Sequence, residues 1–248
     1  MRKITLGLCA LSLLLILPFS GLAEEAEKDP MKWKGDLAVG ISLSKGNTDK
    51  SSLSLSFSAD KKLSQKLDWT NKGIFLGGKS EGKTDSETLE LWTALKWNHT
   101  DRFFTQYEIP FLHDRFKNFQ YRLTPNIGVG YKLVQSEKTD LSLKTGVSET
   151  FTKFYDTGDT DSYFGLFAGN DFKWKISESA EFVQLANLNW DLSNTNHFIA
   201  RLEATLVTSI IGGLGLKLSL IDTYDSEPES AGVEKNDLTF LTNLSLKF

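Results

Sequence analysis

The feature that most constrains this chain is an alternation of apolar with small polar residues, repeated through successive segments. Leu37, Val39, Ile41 and Leu43 alternate with Ala38, Gly40, Ser42 and Ser44. After the turn-rich run Lys45-Gly46-Asn47-Thr48-Asp49, Leu53, Leu55, Phe57 and Ala59 alternate with Ser52, Ser54, Ser56 and Ser58. A period of two sends neighbouring side chains to opposite faces of a strand, so each segment has one greasy face and one small polar face. The pattern returns at Phe119, Tyr121, Leu123, Pro125, Ile127, Val129, Tyr131 and Leu133, a long strand whose proline fits a bulge. Twelve segments follow this rule, near 33–45, 50–61, 66–79, 86–98, 101–113, 118–134, 138–155, 161–177, 180–192, 196–209, 212–223 and 237–248. The fold class this predicts is all-β and antiparallel.

A soluble sandwich and a transmembrane barrel both alternate, and the character of the polar face separates them. Here that face is rich in Ser, Thr, Gly and Asn, as in Ser142, Gly146, Ser148 and Thr150, which suits a crowded lumen. Aromatics recur near segment ends, among them Trp33, Trp69, Trp97, Phe111, Trp174 and Trp190, where the interfacial girdles of a barrel would sit. A tilted barrel strand needs roughly 9–11 residues to cross the hydrocarbon, and every segment is long enough. The connections near 98–101, 177–180 and 209–212 look tight, while 78–86, 155–161 and the acidic 222–237 look longer. Short turns on one side and longer loops on the other are how outer-membrane barrels are built. Closure between the first and last strands leaves no hydrogen-bonding edge facing lipid.

The N-terminus fits this destination. Met1-Arg2-Lys3, the apolar run Ile4 to Pro18 and the small residues before Ala23 have the anatomy of an export signal cleaved after residue 23. Residues 24–34 would then be a short periplasmic segment and 35–248 the barrel. The single cysteine, Cys9, would leave with the signal, removing disulfides, Cys-zinc sites and Cys nucleophiles together. The formal charge of −4 would become −6, which excludes a globally basic nucleic-acid surface.

Several residues also carry a family resemblance, spanning about Gly35 to Phe248. Gly46-Asn47-Thr48, Tyr107, Asp114-Arg115-Phe116 and the run Gly128-Val129-Gly130-Tyr131-Lys132-Leu133 leading to Gly146 resemble the salt-induced outer-membrane proteins, a family labelled domain of unknown function 481. The resemblance implies an outer-membrane β-barrel of Gram-negative bacteria, and implies location more than mechanism. The expected surroundings are outer-membrane lipid and lipopolysaccharide. The last strand, with Leu238, Phe240, Leu244, Leu246 and Phe248 in one parity, is similar to the signal read by the barrel-assembly machinery. A monomer or weak oligomer is expected.

No catalytic constellation stands out and no cofactor or metal is expected. His99 falls in a tight turn, His113 beside Asp114 at a strand end, and His197 at a strand start; neighbours on a strand face opposite ways, so His113 and Asp114 read as rim residues. Asp156 to Asp161 lacks the glycine placement and terminal Glu of a calcium loop and reads as a solvated loop. The polar parity instead nominates a lumen lining. Its basic members include Lys96, Arg122, Lys132, Lys144, Lys173, Arg201, Lys217 and Lys247, with Lys72, Arg102 and Lys175. Its acids are Asp36, Asp68, Glu90, Glu108, Asp171, Glu181 and Glu203, leaving an inward surplus of +4. A water-filled lumen of that charge would make a passive small-solute or ion channel that mildly favours anions. The alternative is a structural or surface-interaction barrel whose lumen is filled and does not conduct.

Overall fold

The computed structural model describes residues 32–45, 50–80, 83–228 and 233–248. The expected export signal, most of the 24–34 segment and Gly46-Asn47-Thr48 lie outside the described residues. The elements are β1 (Lys34–Lys45), β2 (Lys50–Lys62), β3 (Leu67–Ser80), β4 (Lys83–Asn98), β5 (Phe103–Asp114), β6 (Phe119–Leu123), β7 (Asn126–Gln135), β8 (Thr139–Phe154), β9 (Thr160–Lys175), β10 (Ala180–Asp191), β11 (Phe198–Ile211), β12 (Leu214–Asp225) and β13 (Asn236–Lys247). All pairings are antiparallel, and β13 returns to pair with β1 from Asp36↔Lys247 to Lys45↔Leu238.

β6 and β7 both pair with β5 on one side and β8 on the other, so they are two lengths of one stave. The wall is therefore a closed barrel of twelve staves, the number the alternation predicts. The break falls at Thr124-Pro125, where proline has no N–H for the ladder. Neighbours stitch the gap: Thr124 N donates to Pro110 O at 3.0 Å, and Glu149 N donates to Pro125 O at 3.0 Å.

Polarity is inverted relative to a soluble protein. Ser54, Thr150, Thr152, Asn243 and Ser245 are fully buried inside, while Leu53, Leu55, Val147, Phe164 and Leu244 are each more than half exposed outside. A surface of that kind has lipid as its natural solvent. Among the described residues no helix is long and apolar enough to cross a membrane; the strands make the wall.

The closing seam is tight. Ser54 Oγ donates to Asn243 Oδ1 at 2.6 Å across the intervening β1, directly over Gly40. A Cβ on Gly40 would lie 1.9 Å from Thr242 O, so this approach requires glycine. Phe248 and Gly35 exchange both backbone hydrogen bonds at 3.0 Å, extending the seam past the end of β13.

The connections are shorter than the sequence suggests. β3 and β4 run on to Ser80 and from Lys83, so the expected long connection 78–86 is mostly strand; β12 continues to Asp225 and β13 starts at Asn236, trimming the 222–237 loop from both ends. The turn expected at 209–212 sits at Gly212-Gly213, both with positive φ (54° and 82°), the backbone that a tight hairpin demands.

The glycines of β7 and β8 have a packing role inside the barrel. The Phe104 ring lies on Gly130, where an added Cβ would be 2.1 Å from the ring. The Phe167 ring lies on Gly128 and Gly146, at 2.5 and 2.6 Å from such a Cβ. Both rings are almost wholly buried, so part of the lumen is a hydrophobic core. Each ring contributes roughly 2–3 kcal/mol of burial.

Candidate functional site: a lumen crossed by ion pairs

Pairing register fixes which side chains point inward. β3 sends Asp68, Thr70, Lys72, Ile74 and Leu76 to the face of Ser54, Ser56 and Ser58. β10 sends Val183, Leu185, Asn187 and Asn189 to the face of Arg201 and Glu203. Alternation alone leaves the register of these two segments open, because apolar side chains occupy part of their inner face.

The central feature is a transverse ion pair. Arg201 on β11 meets Glu90 on β4 in a two-pronged contact, Nη2 to Oε2 at 2.6 Å and Nη1 to Oε1 at 3.2 Å. Five staves separate β4 from β11 by either route round the wall, so this pair bridges opposite walls. Arg201 Nη1 also lies 3.4 Å from Thr223 Oγ1. A planar guanidinium matched to both carboxylate oxygens is the most directional ion pair that side chains make.

A second bridge lies toward the end of the barrel opposite β1's start. Asp114 Oδ1 accepts from the backbone N–H groups of Phe116 and Lys117 at 3.0 and 3.1 Å, and Asp114 Oδ2 accepts from Thr88 Oγ1 at 3.2 Å. The capped turn delivers Lys117 over the mouth, where Nζ meets Asp237 Oδ2 at 2.5 Å. Asp114 is thus buried and inward, not a rim residue, and the Asp114-Arg115-Phe116 motif builds a turn. Between the two bridges is a small chamber of about 40 Å³, lined by Ser86, Thr88, Glu90, Lys117, Arg201 and Asp237 among others. That is room for one or two waters.

The remaining candidates fall into distinct settings. Lys144 is buried and pairs with Glu108 at 2.7 Å and Asp171 at 3.4 Å, with Gln106 donating to the same Glu108 oxygen. Lys217 meets Asp36 at 2.6 Å. Arg122 donates to Thr152 Oγ1 at 3.0 Å, lies over the Phe119 ring and approaches Asp225 at 4.0 Å. Lys173 pairs with Glu181 at 2.9 Å near the other mouth, and Lys247 stands at that rim opposite Asp36. Lys96 lies over the Phe104 ring and Lys72 over Trp92. Among the described residues, Lys72, Lys96 and Lys132 have no carboxylate within ion-pair distance. Glu203 shares its face with Arg201. Arg102 falls in the exposed turn between β4 and β5.

Sequence reasoning missed several inward acids. Asp60 continues the parity of Ser54 to Ser58, and Asp114, Asp191, Asp225 and Asp237 sit at strand ends yet point inward. Their parity with Thr223 and Thr239 was the available signal; their proximity to turn residues hid it. With these acids counted, and Lys62 and Lys117 added to the inward bases, most of the inward surplus of positive charge disappears. His113 contacts the Tyr155 ring near Glu87, while His197 is buried. Asp156 is fully exposed in its loop, and hydrogen bonding by Asn118 holds its carboxyl below the usual carboxylate range. Among the described residues no three His, Cys, Asp or Glu side chains converge as a metal site.

A closed antiparallel barrel, polar inside and apolar outside, is the architecture of bacterial outer-membrane proteins. The chain belongs to the family described as "Protein of unknown function, DUF481", which matches residues 37–248. Among solved structures it is similar to the NanC porin, with a TM-score of 0.56 at 10% identity over 86% of this chain and 100% of that one. It is similar also to an outer-membrane channel from Pseudomonas putida F1, with a TM-score of 0.52 at 11% identity over 91% and 98% of the two chains. The KdgM porin, solved in complex with disordered oligogalacturonate, gives 0.50 at 6% identity over 86% and 99%. At these identities the fold is what is shared. No curated protein is a significant match.

Proposed function

We propose that this chain is an outer-membrane channel for ions and small solutes, described here in a closed arrangement. The observation that carries the reading is the Glu90–Arg201 bridge, which divides the lumen between opposite walls. A pair that is partly hydrated and held by side chains alone opens without any change in the wall. The likeness to porins and channels supports the reading at the level of fold. In the open pore, Lys72, Lys96 and Lys132 supply the cationic sites that lack close partners, giving a weak preference for anions.

Planar-bilayer recording of the refolded protein in a salt gradient tests this. The expected result is small, infrequent steps, larger and longer-lived in the Glu90→Ser/Arg201→Ser double variant. Changing Lys96 and Lys132 to Glu in that background should move the reversal potential toward cations. The dense inner packing favours a second reading, a filled structural barrel. Silence from both wild type and double variant, each folded, would establish it and overturn the channel.

The orientation follows the usual build of such barrels, with the start of β1 and the end of β13 at the periplasmic mouth and the Lys117 turn outside. The barrel-assembly machinery is the proposed partner, engaging β13 and Phe248, with lipid and lipopolysaccharide around the wall. Deleting Phe248 removes both backbone bonds to Gly35. Membrane-inserted protein should then fall several-fold in pulse-chase assembly, with little change in unfolding once inserted; an unchanged yield would discard the proposed signal.

A further inference from the structure

We propose that His197 is a proton-operated clasp on the turn between β10 and β11. The turn, residues 192–197, is tied to β10 by Asp191, whose Oδ1 accepts from Ser193 N at 2.7 Å, Ser193 Oγ at 2.6 Å and Asn194 N at 3.2 Å. His197 follows and is buried, with its ring wedged between two carboxylates. Nδ1 stands 3.4 Å from Asp191 Oδ2, and Nε2 stands 3.3 Å from Asp225 Oδ1 at the end of β12. The Tyr163 ring on β9 meets the imidazole edge-on at 5.3 Å between centroids. Arg122 on β6 reaches Asp225 from the far side of the lumen at 4.0 Å. Asp191, Asp225 and Tyr163 thus face the ring, Arg122 reaches it through Asp225, and Glu227 faces the turn through Asn194.

The chemistry follows from donor counting. Ionised carboxylates only accept, and a neutral imidazole carries a single N–H. A neutral ring would turn a lone pair toward one of the two carboxylates, whereas an imidazolium presents N–H to both. Protonated, His197 joins the turn to β12, and Asp225 passes the tie across the mouth to β6. Deprotonated, it gives up one of these two contacts and loosens the turn, which stays anchored by Asn194 Nδ2 donating to Glu227 Oε2 at 2.6 Å and Ser226 Oγ donating to Asn196 O at 2.8 Å. The carboxylates lie on opposite sides of the ring, so they do not converge on a shared metal position.

Turn opening can be read without any conductance, so failure here is distinct from failure of the channel reading. In a Cys9→Ser background, Asn196→Cys places a lone thiol on the exposed turn, and Thr157→Cys provides a control on the separate loop between β8 and β9. Labelling rates in lipid nanodiscs, corrected for thiolate fraction, should rise several-fold at position 196 from about pH 6 to about pH 9, across the range where imidazole titrates. The control should stay flat. The midpoint should coincide with the titration of the His197 ring followed by NMR. His197→Gln should label fast at every pH. If that variant does not fold, Asp225→Asn serves, with a reduced ratio between the two pH values. A flat wild-type profile, or an undiminished rise in either variant, would overturn the clasp.

Discussion

Replacing Arg201 with serine should open the pore and make it prefer cations, while replacing Glu90 with serine should open it and make it prefer anions. Each change breaks the same bridge and leaves the other partner exposed to the lumen. Without Arg201, Glu90 and Glu203 stand on opposite walls with the bridging cation gone; without Glu90, the guanidinium is the free charge at this crossing. Reversal potentials of opposite sign in the same salt gradient are the diagnostic readout. The double variant should conduct most and discriminate least. Stability separates the three further. Losing one partner of a buried pair costs roughly 3–5 kcal/mol, and the partial hydration here lowers that to about 2 kcal/mol. The double variant should recover most of the loss in urea unfolding, because no orphan charge remains. Equal conductance and equal reversal potential in all three would remove the bridge from any gating role.

Gly146→Val should abolish assembly of the barrel. A Cβ at this position lies 2.1 Å from Ile127 O and 2.5 Å from the Gly128 Cα, so backbone must move. The Phe167 ring at 2.6 Å blocks escape into the lumen. Overpacking of side chains costs about 1–3 kcal/mol, and displacing a ladder between two strands exceeds that. Heat-modifiable migration should show no folded species. Gly130→Ala offers the contrast, because its close neighbours are all atoms of the Phe104 ring. It should cost about 2 kcal/mol alone and much less beside Phe104→Ala, a coupling within the range seen for contacting residues. Additive losses would mean that the ring does not rest on the glycine.

The barrel wall is far more legible in the sequence than the contacts inside it. Alternation gave the barrel because the residue period of a strand equals the period of the lipid–lumen contrast, so twelve staves could be counted without knowing any pairing. Pro125 marked the interruption between β6 and β7 because it lacks the N–H of a ladder. Face, however, is not height. Glu90 and Arg201 were both assignable to the lumen, yet nothing local tells two residues 111 positions apart that they meet. The strand-end acids were obscured differently: Asp191 and Asp225 stand next to Ser193, Asn194 and Glu227, whose turn-forming character outweighs the parity running into them. Inside β10, Val183 and Leu185 look like lipid-facing residues, since inward apolar packing erases the contrast on which parity depends.

The seam between β1 and β13 makes formation of this barrel an end-loaded process. Its side-chain ties join residues such as Ser54 with Asn243, 189 positions apart, and Asp36 with Lys217, 181 apart. Contacts of such sequence separation are the slowest to form, because chain entropy is spent before they return anything. Until β13 meets β1, every partial sheet carries two open edges suited to pairing with another copy. The interval before closure is therefore when the chain is most exposed to aggregation, and its length is set by how fast the last strand finds the first.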